Sequence, residues 1–270
     1  MFFNLQGWPL LLMLTAMVAY GACAVLRTPK TAVLSGLFGL GWLLHGWVLL
    51  ADMMGWSRTD DVLRFGFGPA LSGTVWLIVG LLSLESRWVP LPLVRRLWSG
   101  ISILALVILA WAPVHMPLNM ASSWMALHLA LGMATYGVVG AAVLHAILLQ
   151  MAERGMRQKL LQLSAPGLPI LRLERLMFRL VLVGFGLLSG VLYLGWMSVL
   201  QNSWVWHWDH KSVFALLAWM VFAVLLMGHY ALGWRGTRAA YAVYVGAGFL
   251  VLSYMGSRFV LEVLLQQTTG

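Results

Sequence analysis

Seven histidines and fifteen tryptophans stand in a chain of 270 residues that is 61% hydrophobic. The stretch SWVWHWDHKS, residues 203–212, gathers Trp204, Trp206, His207, Trp208, Asp209, His210 and Lys211. His45, His128, His145 and His229 each interrupt a long apolar run. An ionisable group inside a membrane-spanning segment is costly enough to mark a functional position. Two neutral imidazoles from different helices can take both axial positions of a haem iron, and indoles can cover a porphyrin with large, rigid, apolar surface. Two bland readings compete. The histidines can be buried imidazoles bonded to a neighbouring helix, and the tryptophans can be a belt at the membrane–water interface. Zinc is a weaker candidate, because a closed structural site wants four N or S ligands and Cys23 is the sole cysteine. The same count excludes a disulfide framework, a CxxC redox pair and covalent haem attachment through paired cysteines.

The elements that carry these residues follow from composition. Only 9% of the chain is charged, far below the roughly 25% of a soluble domain. Runs of about 20 apolar residues without period-2 alternation must be helices, since backbone polar groups cannot stay unpaired in lipid. The sequence therefore predicts an all-α integral membrane protein, a single polytopic domain over 1–270. Its eight transmembrane helices fall at about 8–26, 31–51, 68–85, 97–112, 123–151, 176–200, 211–232 and 239–262. The first run has no positive n-region ahead of it and reads as a retained span rather than a cleaved signal.

The net charge of +9 does not imply nucleic acid, because the cations sit in short loops between apolar runs. Thirteen Lys and Arg residues fall on one side of the alternating topology, while Arg58, Arg64, Lys211 and Arg258 fall on the other. The positive-inside rule then puts both termini on the non-cytoplasmic side and makes the loop 201–210 external. The longest internal loop, which includes Pro166 and Pro169, is expected along the lipid headgroups. On this topology His45, fourteen residues into its span, lies about 21 Å along it, in the outer half. His128 is also in the outer half, near the start of its span. His229 and His145 lie near the cytoplasmic face. Proton pumping is disfavoured, because every Asp and Glu lies near a loop or a span end. Glycines such as Gly36, Gly41, Gly132, Gly137, Gly186 and Gly190 read first as close helix packing.

The last spans resemble a known family. LERLMFRLVLVGFGLLSG, then WVWHWDHKSVFALLAWMVF, then GHYALGWRGTRAAYAVYVGAGFLVLSYMGSRFV are similar to the cytochrome c assembly family, in its CcsA/HemX-like branch, over about 124–260. GHY followed by GWRGTR and GSR carries most of the likeness. The resemblance implies a haem-handling component of cytochrome c biogenesis in the bacterial inner membrane, with haem bound non-covalently as b-type haem. His128, His229 and His45 are the implied candidates for the iron. Trp204, Trp206, Trp208, Asp209 and His210 would form an external platform. The implied partners are the bilayer, a membrane protein of cytochrome c maturation and an apocytochrome c. Two departures bear on activity. The loop reads WDHKS where the family has W-D-P-K-E, and LLQQTTG after the last span offers no histidine to pair with His128, so a self-sufficient haem lyase is not expected. An accessory or regulatory membrane protein of the same fold, and a small-molecule transporter, are the alternatives.

Overall fold

The computed structural model describes residues 5, 7–26, 31–56, 65–86, 92–112, 123–157, 170–201 and 209–260. Trp204, Trp206, His207 and Trp208 lie outside the described residues, as do residues 113–122 and 158–169. Among the described residues every regular element is a helix. Eight helices follow one another: α1 (Trp8–Val25), α2 (Thr31–Met53), α3 (Phe67–Ser86), α4 (Pro92–Trp111), α5 (Ser123–Arg157), α6 (Ile170–Gln201), α7 (His210–Leu232) and α8 (Gly236–Val251). A π-helical turn, Leu252–Gly256, continues α8. All eight are long and apolar enough to cross a membrane.

The helices form two compact units. In the first, residues 1–121 with 258–270, α1 packs on α2 and α4, and α3 packs on α2 and α4. Here α2 and α3 are joined by Trp42 and Trp76, whose side chains bond to each other's backbones. In the second, residues 122–257, α5 packs on α6 and α8, and α7 packs on α6 and α8. Its core is built from apolar side chains on all four helices, small and large, including Ala142, Met177, Phe222, Leu225 and Val243. Outward faces in both units stay apolar, as Leu11, Val18, Leu43, Leu216 and Met227 show. Lipid, not water, is the solvent such a surface suits.

Two helices outrun the bilayer. At a rise of about 1.5 Å per residue, the 35 residues of α5 extend about 52 Å and the 32 of α6 about 48 Å, against a hydrocarbon core of about 30 Å. The flanks of the basic loop expected along the headgroups are thus helical: Glu153–Arg157 finishes α5, and Ile170–Arg179 opens α6, earlier than the expected start at 176. No proline or glycine interrupts 170–179, so the helix continues past the apolar stretch. Of the glycines the sequence suggests, Gly41 makes a close approach, a Cβ there standing 3.1 Å from the Tyr20 ring, and Gly190 an ordinary contact, 3.4 Å from Leu131; the tightest approaches are at others. A Cβ at Gly184 would stand 2.9 Å from Val139, and one at Gly246 would stand 2.5 Å from Phe222, while Gly36, Gly132 and Gly186 face open space.

Candidate functional site

The motif GHYALGWRGTR folds into a clasp at one end of the second unit. α7 ends at Leu232, and Gly233 adopts a left-handed φ of 67°, which glycine accepts without the steric cost other residues meet. The chain then doubles back, with Trp234 N donating to Gly228 O at 3.0 Å. The Trp234 indole lies over Gly228, where a Cβ would meet it at 2.5 Å. Gly236 has a φ of 60°, and a Cβ there would stand 2.7 Å from Glu153 Oε1 on α5. Thr237 Oγ1 donates to Glu153 Oε2 at 2.9 Å, which ties the turn to α5.

This clasp fixes His229. Its Nδ1 lies 3.0 Å from the Trp234 carbonyl oxygen. A carbonyl can only accept, so in the neutral ring Nδ1 carries the proton and Nε2 keeps its lone pair. The imidazole stacks on Phe178 of α6, with centroids 3.5 Å apart and planes at 19°. Beside it opens a groove of about 330 Å³ lined by Leu171, Glu174, Arg175, Phe178, Arg179, Leu182, His229, Tyr230 and Arg235. Leu171, Arg175, Phe178, Arg179 and Leu182 recur at helical spacing on one face of α6, and Arg235 enters from the turn after α7. Glu174 is buried, and among the described residues its Oε1 has no hydrogen-bond partner. Among the described residues no three His, Cys, Asp or Glu side chains converge on a metal position. An ion held at His229 would therefore need most of its ligands from elsewhere, as the four nitrogens of a porphyrin supply them.

His128 and Asp209 stand at the other end of this unit. His128 is six residues into α5 and lies against α6, where a Cβ at Gly195 would be 3.7 Å from its Cε1. Among the described residues its buried Nδ1 has no hydrogen-bond partner. Asp209 caps α7: Ser212 donates to Asp209 Oδ1 through its amide at 2.9 Å and through its hydroxyl at 2.7 Å. Partial burial pushes the Asp209 carboxyl up, but the Ser212 bonds and the nearby charges of Lys211 and His210 outweigh it and hold the group below its ordinary value. His210 is the exposed first residue of α7. His229 is nineteen residues further on in the same helix, about 28 Å away. His229 and Asp209 therefore belong to different ends of α7.

His45 belongs to the first unit and is fully buried. Its Nε2 lies 2.8 Å from Ser72 Oγ on α3, and its ring meets Tyr20 of α1 edge-on at 6.1 Å. Among the described residues His45 Nδ1 is buried with no hydrogen-bond partner. His145, also buried, bonds through Nδ1 to the Ala141 carbonyl at 2.8 Å, four residues back on its own helix. The sequence reading missed the α6 side of the His229 groove. Arg175 and Arg179, one turn apart, entered it only as topology charges, although their spacing places both on one helix face.

The chain is 26% identical to the inner membrane protein YpjD of Escherichia coli K12 over 264 residues, covering 93% of this chain and 98% of that protein. It is 37% identical over 90 residues to the cytochrome c biogenesis protein CcsA of Prochlorococcus marinus MIT 9303, which is 32% of this chain and 27% of that protein. It is 34% identical over 122 residues to CcsA of Synechococcus elongatus, which is 44% of this chain and 34% of that protein. The model of the cytochrome c assembly protein family matches residues 36–265, and the chain belongs to that family.

Proposed function

We propose that this chain is a haem-handling component of cytochrome c biogenesis in a bacterial inner membrane, holding b-type haem non-covalently. The observation that carries the reading is the fixed imidazole of His229: Nδ1 is committed to the Trp234 carbonyl, and the ring borders a groove with apolar walls and cationic side chains. Anchoring one ring nitrogen on a backbone carbonyl is how proteins set the tautomer and orientation of a metal-ligating histidine. At about 330 Å³ the groove falls within the range of small-molecule sites, about 300–1,000 Å³. When bound, haem supplies redox-active iron; the chain's own part is to ligate it, orient it and shield it from water.

His128 is the candidate ligand for the opposite end, where Asp209 and His210 adjoin the Trp204, Trp206 and Trp208 stretch that would present haem to an apocytochrome c or a membrane partner. His45 is a third candidate and would first have to release Ser72 from Nε2. The thirteen-to-four distribution of Lys and Arg supports a topology with both termini outside the cytoplasm, which puts His229 near the cytoplasmic face. The chain would work with a partner that completes the transfer, not as a lyase by itself.

An absorption spectrum of detergent-purified protein, with and without reductant, tests this. The reading requires a Soret band that sharpens and shifts on reduction. A folded, colourless preparation that takes up no added haem would reject it and leave an accessory protein acting on a partner. The platform has its own test: Trp206→Ala with Trp208→Ala should lower haem retention in a folded variant.

A further inference from the structure

The groove beside His229 is charged in a way that ligating iron does not require. Three arginines line it, Arg175 and Arg179 one turn apart on α6 and Arg235 at the turn after α7, against a single carboxylate, Glu174. With His229 neutral, as an iron ligand must be, the lining carries an excess of two positive charges. Glu174 is itself buried, and among the described residues its Oε1 has no hydrogen-bond partner, so the three exposed guanidinium groups dominate the charge that the groove presents. The remaining walls, Leu171, Phe178, Leu182 and Tyr230, are apolar or aromatic. Such a lining suits a flat apolar molecule with two negative groups along one edge.

We propose that Arg175, Arg179 and Arg235 receive the two carboxylates of the porphyrin whose iron His229 ligates, so that they orient the ring and select for its charged edge. This rests on the haem reading above and adds the residues that recognise the porphyrin periphery. Guanidinium groups suit the task because they are always charged and meet carboxylates through two parallel N–H···O bonds. All three are exposed at the groove, so each pair alone is weak and the effect depends on the three together.

The test titrates ferric haem and haem dimethyl ester, whose carboxylates are masked, onto full-length protein in detergent. Tryptophan quenching gives the affinity and the Soret position reports the axial ligand. In the variant R175Q/R179Q/R235Q we expect haem to bind about tenfold more weakly than in the parent. The Soret position should be unchanged and the affinity for the ester equal in both proteins. R175K/R179K/R235K should recover part of the loss, because charge is kept while the bidentate geometry is not.

Equal haem affinity in parent and glutamine variant overturns the assignment, and so does an equal loss for haem and ester. A parent that binds neither compound overturns the haem reading itself, a different result from either. If the arginines instead hold the phosphate of an anionic phospholipid, phosphatidylglycerol will bind the parent and not the glutamine variant while haem binds both alike. That outcome also overturns the proposal.

Discussion

Trp42 on α2 and Trp76 on α3 hold each other twice: each indole Nε1 donates to the other's backbone carbonyl at 2.9 Å. Their rings stack with centroids 4.8 Å apart and planes at 5°. One turn further along each helix stands a glycine. A Cβ at Gly46 would come within 2.8 Å of the Trp76 ring, and one at Gly80 within 3.1 Å of Trp42. The pattern W-x-x-x-G occurs in both helices, so the arrangement is symmetrical and fixes α2 and α3 as antiparallel neighbours. In lipid, where neither indole N–H finds water, such mutual satisfaction is worth more than apolar contact alone.

Gly46→Leu should be the most damaging single change in the first unit, at about 2 kcal/mol or more, because a side chain there must displace a stacked ring. Trp42→Phe, which removes one donor and leaves the Trp76 carbonyl without its indole partner, should cost about 1–3 kcal/mol. Unfolding of purified protein in mixed micelles measures both. Gly46→Leu melting with the parent would show that the ring pair does not constrain this interface.

The turn after α7 makes a graded prediction. Gly233 and Gly236 both have left-handed φ, at 67° and 60°, but only Gly236 also lies against a neighbour, Glu153. Gly233→Ala should cost about 1 kcal/mol from backbone strain alone, and Gly236→Ala clearly more, with loss of the Thr237–Glu153 bond. Melting temperatures of the two variants supply the comparison, and the reverse order would contradict the clasp.

Asp209 provides the pH dependence. Its carboxyl is held below the ordinary value because the charged form accepts from Ser212, so the folded state favours the ionised group. Its stabilisation is full above the unfolded carboxylate range and is lost as pH falls through the depressed folded value. Replacing an N-cap Asp by Ala typically costs about 1 kcal/mol. The stability gap between parent and Asp209→Ala should therefore be present at neutral pH and close in acid. A gap that is independent of pH would assign Asp209 some role other than this cap.

Much of the architecture was legible because lipid enforces it: runs that must satisfy their own backbone groups announce helices, and the eight expected spans correspond to α1–α8. The ends were less legible. α5 and α6 run on into basic sequence because charged residues such as Arg172 and Arg175 are good helix formers outside the bilayer, and an apolar count stops where hydropathy falls. At the candidate site, spacing alone separated His128 from His229 by depth. The groove beside His229 was not visible, since it joins α6 residues to a turn about sixty positions later in the chain. Asp209 was grouped with the platform by its neighbours in sequence, whereas its carboxylate closes the first turn of α7.

The dependence of His229 on its turn can be checked without touching the imidazole. Gly228→Val should push Trp234 off its seat, where even a Cβ would stand 2.5 Å from the ring, and so move the carbonyl that holds Nδ1. We expect weaker haem retention with the protein still helical by circular dichroism. Full retention would mean that the Trp234 carbonyl does not set the ligand.

The central claim is that His229 ligates haem, and the haem-to-protein ratio of purified His229→Ala, read from the Soret band beside His128→Ala and parent, tests it most directly. The account predicts that His229→Ala loses most of its haem or shows a shifted Soret band while remaining folded. Unchanged haem content and an unchanged band position in a folded His229→Ala preparation would contradict it.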